Sequence, residues 1–192
     1  MLVLASASAR RAQILRQLGI EFRVVVSGAD ESLLPGEDGA QAAERLARVK
    51  AEAVASRESL PVLGADTVVL CDGHILGKPA SAEEAKAMLR RLSGRSHQVV
   101  TGLCLASDGC ARSARDSTEV RFARLSQAEI DWYVSTGEPL GKAGAYHIDG
   151  RAGMFIEAVA GSPSNVAGLP IRTLLLLAQQ AELDLGPGTR LI

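Results

Sequence analysis

The sequence predicts an α/β protein in which helices pack against a mixed β-sheet. Short apolar runs typical of buried strands alternate along the chain with segments whose apolar residues have helical spacing. Two Asp-Gly dipeptides, at 72–73 and 108–109, each separate two strand-like runs, and this dipeptide is a strong hairpin signal. Strands joined by hairpins and interleaved with helices indicate a sheet with both parallel and antiparallel neighbours.

Local signals justify each element in the first half of the chain. The run "LVLA" predicts a buried strand, and residues 8–18 predict a helix that Gly19 ends. A second strand is expected at 22–26, followed by an acidic loop and an Ala-rich amphipathic helix at 41–57. Strands at 62–70 and at "ILGKP" then form the first hairpin.

The second half continues the alternation of helices and strands. Two Ser-x-x-Glu capping boxes, which start at positions 81 and 126, predict helix beginnings. Between these helices, "HQVVTGLCLAS" and a long partner that ends near position 122 form the second hairpin. The glycine-rich stretch at 141–155 is expected to be irregular, and the strand "MFIEAV" follows it. Pro170 begins the last helix, whose apolar face is Leu174, Leu175 and Leu177.

Composition limits the classes of function. A chain of 192 residues can bury a substantial core in one domain or two closely joined lobes. A net charge of −1 and an aromatic content of 3% give little support to nucleic-acid binding. No apolar run approaches the ~20 residues of a membrane span, and the first apolar run precedes its arginines, unlike a secretion signal. Three cysteines without CxxC spacing indicate buried thiols in a reduced cytoplasm, and the three histidines are too scattered for a zinc site.

The stretch "SASARR" (6–11) lies between the first strand and the first helix, and it is a candidate anion site. The first N–H groups of a helix have no partner within the helix, and arginine carries charged donors suited to phosphate oxygens. The alternative is structural, with Ser8 as a helix N-cap and Arg10 and Arg11 as a solvated first turn. Arginine opposes the helix dipole here by about 0.3 kcal/mol, which favours the functional interpretation.

Four further charged residues stand where structure alone does not require them. Asp66 interrupts the apolar run "VLGADTVVL", where burial of an unpaired carboxylate is costly. Lys78 directly precedes a proline at the end of a hairpin strand, and Glu31 follows Asp30 in the acidic loop. Lys50 lies on the Ala-rich helix, where a solvated lysine is the common alternative.

In their order, these segments resemble the Maf family of nucleoside triphosphate pyrophosphatases. The resemblance runs almost from end to end, and "LSGRSHQVVTG" and "KAGAY" are its most specific blocks. The other blocks are "LASASARR", "GADE", "RLARVKAEA", "LGADTVV", "ILGKP" and "VAGLPI". The resemblance implies an elongated mixed sheet with flanking helices around a central cleft, as in inosine-triphosphate pyrophosphatases. It also implies a single Maf-like domain of two lobes over residues 1–192.

The implied reaction is hydrolysis of a nucleoside triphosphate between the α and β phosphates, which gives the monophosphate and pyrophosphate. It implies a divalent cation, Mg²⁺ with Mn²⁺ as the alternative, and a role in removing non-standard nucleotides. The resemblance further implies a cytoplasmic homodimer whose partner is the nucleotide substrate, with no nucleic acid and no membrane. Family members have also been linked to arrest of cell division.

Residue by residue, the family pattern assigns seven positions to the reaction. Ser6, Arg10 and Arg11 match residues at the substrate phosphates. Asp66 matches the general base that takes a proton from the attacking water. Glu31 matches an acidic residue near the metal, so that Glu31 and Asp66 are the implied metal ligands. The two remaining positions match lysines that face the phosphate chain and are Lys50 and Lys78.

Selectivity for the base is attributed in the family to the positions of Arg10, Thr67 and Asp149. Thr67 and the block "KAGAY" resemble the branch that hydrolyses dTTP and UTP. Asp149 departs from this branch, which usually has glutamine in "GIQG" where this chain has "HIDG". The same reaction on 7-methyl-GTP or another modified nucleotide is therefore the first alternative. A non-catalytic nucleotide-binding regulator of cell division is the second, although the presence of Asp66 with its lysines argues against it.

Overall fold

The structure is a computed structural model that describes residues 1–186. Seven strands in this range form one mixed sheet. They are β1 (Leu2–Leu4), β2 (Phe22–Val24), β3 (Val62–Cys71), β4 (His74–Leu76), β5 (Ser96–Ser107), β6 (Cys110–Phe122) and β7 (Ile156–Ala160). The strand order is β2-β1-β3-β5-β6-β7, and β4 pairs with β3. Because β1 is parallel to β2 and β3, while β4 is antiparallel to β3 and β7 to β6, the predicted mixed sheet is confirmed.

Six helices accompany the sheet within the described range. They are α1 (Ala9–Gln17), α2 (Gly39–Ala55), α3 (Ala82–Leu92), α4 (Gln127–Ser135), α5 (Pro163–Val166) and α6 (Ile171–Gln180). Two 3₁₀ turns, Ala143–Ala145 and Arg151–Phe155, occupy the glycine-rich stretch that was expected to be irregular. Among residues 1–186, no helix has the combined length and apolar character needed to cross a bilayer.

The chain divides into two compact units. Among the described residues, unit 1 contains 1–66, 101–116 and 168–186, and unit 2 contains 67–100 and 117–167. The last six residues of the predicted 1–192 domain lie outside the described residues. Strands β3, β5 and β6 contribute residues to both units.

In unit 1, helix α2 packs directly on the backbone of the sheet. A side chain at Gly64 of β3 would collide with the Ala47 carbonyl and would reach to 2.8 Å from the Ala51 amide nitrogen, so only glycine allows this approach. Small residues on the facing side of α2 keep the two backbones close. The buried cluster around this contact is Val3, Ala5, Ala47, Ala51, Val54, Val62, Cys104 and Ala106.

Unit 2 has an aromatic core. Phe122 makes edge-to-face contacts with His97 and Tyr146, with ring centroids 5.1 and 4.9 Å apart, and Tyr133 does the same with Phe155 at 5.3 Å. The His97 Nε2 atom lies 2.9 Å from the Tyr146 hydroxyl. Because the surroundings are apolar, burial lowers the pKa of His97 to about 4, and the ring is neutral at pH 7.

Several sequence predictions differ from the structure. Helix α2 spans Gly39–Ala55 instead of 41–57, and β7 begins at Ile156 instead of 154 because a 3₁₀ turn occupies Arg151–Phe155. Strand β2 ends at Val24 instead of 26, because its partner β1 ends at Leu4, opposite Val24. Helix α5 was not predicted, since four residues are too few for a periodic signal. At α3, the Ser81 hydroxyl accepts from the Glu84 amide as expected, but the Glu84 carboxylate accepts from the Ala80 amide instead of that of Ser81. Cys110 is exposed, because it follows directly on the turn of the second hairpin.

Candidate active site

A cluster of charged side chains in unit 1 joins one lysine to two carboxylates. The Lys50 ammonium lies 2.6 Å from Asp66 Oδ1 and 2.8 Å from Glu31 Oε2. The Lys50 side chain is only 6% exposed, whereas that of Asp66 is 13% and that of Glu31 is 49% exposed. A lysine buried to this degree requires charged partners. The alternative of a solvated lysine is therefore wrong, and we call Glu31, Lys50 and Asp66 the charge cluster.

The fold explains how the charge cluster is assembled. Lys50 follows Ala47 by three residues on α2, so it lies on the same helical face that packs on the sheet. Asp66 follows Gly64 by two residues on β3, so it lies on the same face of the strand as the backbone contact. The close approach at Gly64 thus brings the two side chains within hydrogen-bonding distance.

Glu31 comes from an acidic loop that α2 also holds in place. Arg45, five residues before Lys50, donates from Nε and Nη2 to the two Glu37 oxygens at 2.6 and 2.7 Å. Its Nη2 also donates to the Ser32 carbonyl at 3.0 Å. The hydrogen bonds from Arg45 hold the pKa of Glu37 below its usual value. The role of Arg45 was not predicted from the sequence. The signal that could have indicated it is an arginine about one and a half helical turns before Lys50, next to an acidic loop.

Ser6 and Arg11 form a second group at the junction of β1 and α1. The Ser6 hydroxyl oxygen accepts hydrogen bonds from the Ser8 amide at 3.2 Å and from Arg11 Nη1 at 3.0 Å. These two donors use both lone pairs of the oxygen, so the hydroxyl hydrogen is left to donate. No acceptor for that hydrogen lies among the described residues. A serine in this state can donate to an anion, as the phosphate-binding prediction requires.

Arg11 lies deeper than the sequence suggested. It is 8% exposed, and its Nε donates to the Gly168 carbonyl at 2.8 Å. Burial lowers its pKa, while the negative charges of Asp66 and Glu31 oppose that effect. Arg11 therefore holds Ser6 in position and adds positive charge near the charge cluster. Ser8 is the N-cap of α1, as one interpretation proposed, since its hydroxyl accepts from the Arg11 amide at 3.4 Å.

Arg10 differs from its neighbour in position. It is half-buried in the first turn of α1, and its Nη1 donates to Gln13 Oε1 at 3.0 Å. Its guanidinium is a planar, permanently charged donor at the start of the helix, which is the kind of group that binds phosphate oxygens.

The three remaining predicted residues belong to unit 2. Lys78 is exposed and lies between Gly77, whose carbonyl accepts from the Gly144 amide at 3.0 Å, and the buried Pro79. Thr67 directly follows Asp66 in β3 and is half-buried. Asp149 is 43% exposed, and its Oδ2 lies 4.0 Å from His147 Nε2. The structure thus brings Ser6, Arg11, Glu31, Lys50 and Asp66 together in unit 1. The other three, Lys78, Thr67 and Asp149, belong to unit 2.

The charge cluster offers two carboxylates, Glu31 and Asp66, as ligands for a metal ion. Among residues 1–186 there is no group of three or more His, Cys, Asp or Glu side chains that could hold one. However, two carboxylates already converge on one positive charge, that of Lys50. Mg²⁺ commonly uses one or two protein carboxylates and completes its coordination with water and substrate phosphates. The residues present therefore fit a hard divalent cation that a phosphate ligand shares.

Comparison with known proteins agrees with this chemistry. The sequence model of a family described as "Maf-like protein" matches residues 1–181. The chain is 52% identical over 180 residues to the dTTP/UTP pyrophosphatase of Symbiobacterium thermophilum, with 93% of each chain covered. It is 49% identical over 183 residues to the dTTP/UTP pyrophosphatase of Chromobacterium violaceum, with 92% of each chain covered.

Solved structures support the fold. The structure of the Staphylococcus aureus Ham1 protein matches with a TM-score of 0.54 and 14% sequence identity. The match covers 94% of this chain and 98% of the Ham1 chain. At this identity the likeness shows a shared mixed α/β fold and nothing about the substrate.

Proposed function

The chain belongs to the Maf family, and from this premise we propose that it is a nucleoside triphosphate pyrophosphatase. It cleaves the bond between the α and β phosphates and releases the monophosphate and pyrophosphate. The observation that carries the proposal is the charge cluster, in which a buried lysine contacts two carboxylates. Phosphoryl transfer depends mainly on positioning and on neutralisation of charge, and this cluster offers both.

Within the charge cluster, Asp66 acts as the general base. Its Oδ1 accepts the hydrogen bond from Lys50 at 2.6 Å, so proton transfer from the attacking water falls to Oδ2. Lys50 fixes the orientation of the carboxylate through this hydrogen bond. Glu31 and Asp66 would hold the divalent cation, for which we propose Mg²⁺, with Mn²⁺ as the alternative. When bound, that cation supplies positive charge against the phosphate oxygens.

The phosphates are bound by donors outside the two carboxylates. Ser6 donates its hydroxyl hydrogen, and Arg10 supplies a guanidinium at the start of α1. Arg11 supports Ser6 and contributes charge from its buried position. Lys78 supplies a further ammonium from an exposed position. Ser6 and Lys78 are assigned to the phosphates alone, so they serve every nucleoside triphosphate alike, whereas Arg10 is assigned to the base as well.

We assign the base to the pyrimidine class, because relatives at about 50% identity are named dTTP/UTP pyrophosphatases. Thr67 and Asp149 are the proposed base-selective residues, with Arg10 as a third. An ionised aspartate only accepts hydrogen bonds, whereas glutamine both donates and accepts. Asp149 can accept from N3–H of uracil or thymine but disfavours the neighbouring carbonyl oxygen. It suits the cytosine amino group or the paired N–H groups of guanine better, so we expect measurable activity on CTP or on guanine-type nucleotides.

A product analysis tests the reaction. Purified protein with Mg²⁺ and a panel of nucleoside triphosphates should release pyrophosphate and the monophosphate, and EDTA should stop the release. dTTP and UTP should lead the panel, followed by CTP. Orthophosphate as the first product would mean cleavage at the γ phosphate and would overturn the proposal. Release that continues in EDTA would overturn the metal assignment alone.

A matched pair of variants tests the role of Glu31. Glu31→Gln should raise the Mg²⁺ concentration needed for half-maximal rate, because it removes one charged ligand. Asp30→Asn is the control, since Asp30 is the adjacent acid and its Oδ1 only accepts from the Ser32 amide and hydroxyl. Equal Mg²⁺ requirements in the two variants would remove Glu31 from the metal site.

The homodimer and the cytoplasmic location remain predictions. Light scattering on the purified protein tests the first. A fluorescent fusion in the source cells tests the second.

A further inference from the structure

The segment that carries Asp149 has no strand or regular helix to hold it. Residues 147–152, which we call the Asp149 loop, begin with a turn in which the Gly150 amide donates to the His147 carbonyl at 3.0 Å. A short 3₁₀ turn begins at Arg151. Asp149 lies inside the first turn and is exposed. The path of its backbone is set by the contacts that fix the two ends of the loop.

Tyr133 fixes the start of the loop. This residue lies on α4 and is fully buried, with its ring packed edge-to-face on Phe155. Its hydroxyl accepts a hydrogen bond from the His147 amide at 3.2 Å and donates to Glu138 Oε1 at 3.0 Å. The hydroxyl thus acts as an acceptor toward the loop backbone and as a donor toward a carboxylate.

Glu138 fixes the end of the loop. Its two oxygens accept from the Arg151 amide at 3.2 Å and the Ala152 amide at 3.4 Å. A side chain at Gly150 would collide with the same carboxylate, so the carboxylate packs directly on the loop backbone. Burial disfavours the charge of Glu138, but the hydrogen bonds from Arg151, Tyr133 and Ala152 together hold its pKa below the usual value. The carboxylate is therefore ionised and binds the loop amides as a charged acceptor.

We propose that Tyr133 and Glu138 are positioning residues for base selectivity, which act by clamping both ends of the Asp149 loop. The inference rests on the proposed function, since it concerns how that reaction selects its base. The hydrogen bonds of the clamp go to backbone N–H groups of the loop, and the Arg151 guanidinium adds an ion pair with Glu138 at 3.9 Å. The clamp therefore fixes where Asp149 stands without contributing a group of its own to the nucleotide.

The test replaces the clamp and measures selectivity. Tyr133→Phe keeps the packed ring and removes the hydroxyl, so the His147 amide and Glu138 each lose a partner. We expect the ratio of kcat/KM for CTP to that for UTP to change about three- to ten-fold, as loss of one hydrogen bond allows. Glu138→Gln should change the ratio in the same direction. Its NH₂ group replaces one of the two oxygens that accept from the loop amides, so one of these hydrogen bonds is lost. Dissociation constants of UTP and CTP in EDTA should show the same change without turnover.

Two controls separate positioning from a general loss of structure. Tyr146→Phe removes another buried hydroxyl in unit 2, whose partner is His97, and should lower the melting temperature while leaving the ratio unchanged. In an Asp149→Ala background, Tyr133→Phe should no longer change the ratio, because the clamp acts through Asp149. Amide hydrogen exchange at His147 and Arg151 should accelerate in Tyr133→Phe and not in Tyr146→Phe.

The outcomes are distinct. An unchanged CTP-to-UTP ratio in Tyr133→Phe, or an equal change in the Asp149→Ala background, would overturn the clamp proposal while leaving the pyrophosphatase proposal intact. An inactive wild-type protein would overturn the proposed reaction. The dissociation constants and the exchange rates would then still decide whether the clamp controls nucleotide binding.

Discussion

The charge cluster of unit 1 and the Asp149 loop of unit 2 are organised in opposite ways. In the charge cluster, the side chains Glu31, Lys50 and Asp66 contact each other, and two of the three are largely buried. In the Asp149 loop, buried side chains contact backbone amides, and the side chain assigned to the base is exposed. In the charge cluster, contacts between charged side chains hold the reactive groups. In the Asp149 loop, hydrogen bonds to the main chain hold the backbone that carries Asp149.

This difference predicts how each region responds to change. A substitution in the charge cluster alters charge at the reacting phosphates and should affect all nucleotides equally. A substitution at Asp149 or its clamp should redistribute rates among nucleotides while the best rate is largely kept. The first kind of change lowers every rate constant, and the second changes ratios between them.

The largest effect is expected at Asp66. Asp66→Asn keeps the size of the side chain and removes the base, so kcat should fall by ~10²–10⁴-fold for every nucleotide. Binding of UTP in EDTA and the melting temperature should change little. Rates of pyrophosphate release for UTP, CTP and GTP check this. A variant with the wild-type rate, or with loss confined to one base, would contradict the separation of the two regions.

Acid should weaken unit 2 through His97. Its pKa is lowered by burial to about 4, so the unfolded chain takes up a proton at a higher pH than the folded protein does. The neutral His97 ring contributes up to about 3 kcal/mol to the free energy of unfolding. This contribution is fully present above about pH 6.5 and is lost as the pH falls toward 4. Urea unfolding at several pH values measures this. His97→Gln should flatten the dependence in that window, and an unchanged slope would refute the assignment.

Loss of a phosphate-binding cation should have an intermediate effect. Arg10→Ala and Lys78→Ala each remove a charge-assisted contact of roughly 1.5–3 kcal/mol, which is about ten- to 150-fold in kcat/KM. For Lys78→Ala the loss should be similar for UTP and CTP, because Lys78 is assigned to the phosphates alone. Arg16→Ala is the matched control for Arg10, since Arg16 lies on the same helix and stacks on Phe22. If Arg16→Ala lost as much activity as Arg10→Ala, the overall positive charge of the helix, and not a direct contact with phosphate, would explain the loss.

The smallest change is expected at Asp149, and it concerns a ratio. Asp149→Gln restores a side chain that both donates and accepts, so it should raise the preference for UTP and dTTP over CTP. By analogy with base-edge contacts, one good pairing contributes about 1–3 kcal/mol of discrimination. Steady-state kinetics on UTP, dTTP and CTP check this. Indistinguishable profiles for the two proteins would leave Asp149 without a role in selection.

Much of the fold was predictable because its signals are local. Both Asp-Gly turns close hairpins with positive φ at each residue, and the Ser126 capping box forms with Glu129 as expected. The charge cluster was partly predictable, since Asp66 interrupts an apolar strand and such a carboxylate needs a partner. The identity of that partner was not evident, because Lys50 on a helix surface has the same sequence signal as a solvated lysine.

The clamp on the Asp149 loop was not predictable from the chain alone. Tyr133 has the spacing of an ordinary core residue of α4, and only its hydroxyl contact distinguishes it. Glu138 follows the end of the helix and looks like a surface acid, although only 16% of its side chain is exposed. Hydrogen bonds between a side chain and a distant amide leave no periodic pattern, so only coordinates reveal them.

The backbone contact at Gly64 has a consequence for how this protein can change over generations. Two close-packed backbones cannot be compressed, so where small residues line the contact the separation between α2 and β3 is set by main-chain atoms. This separation also sets the distance between Lys50 and Asp66, because Lys50 lies within one helical turn of the contact and Asp66 lies two residues from it. The apolar residues elsewhere in unit 1 are therefore free to drift by substitution while the distance between the two reactive groups stays the same.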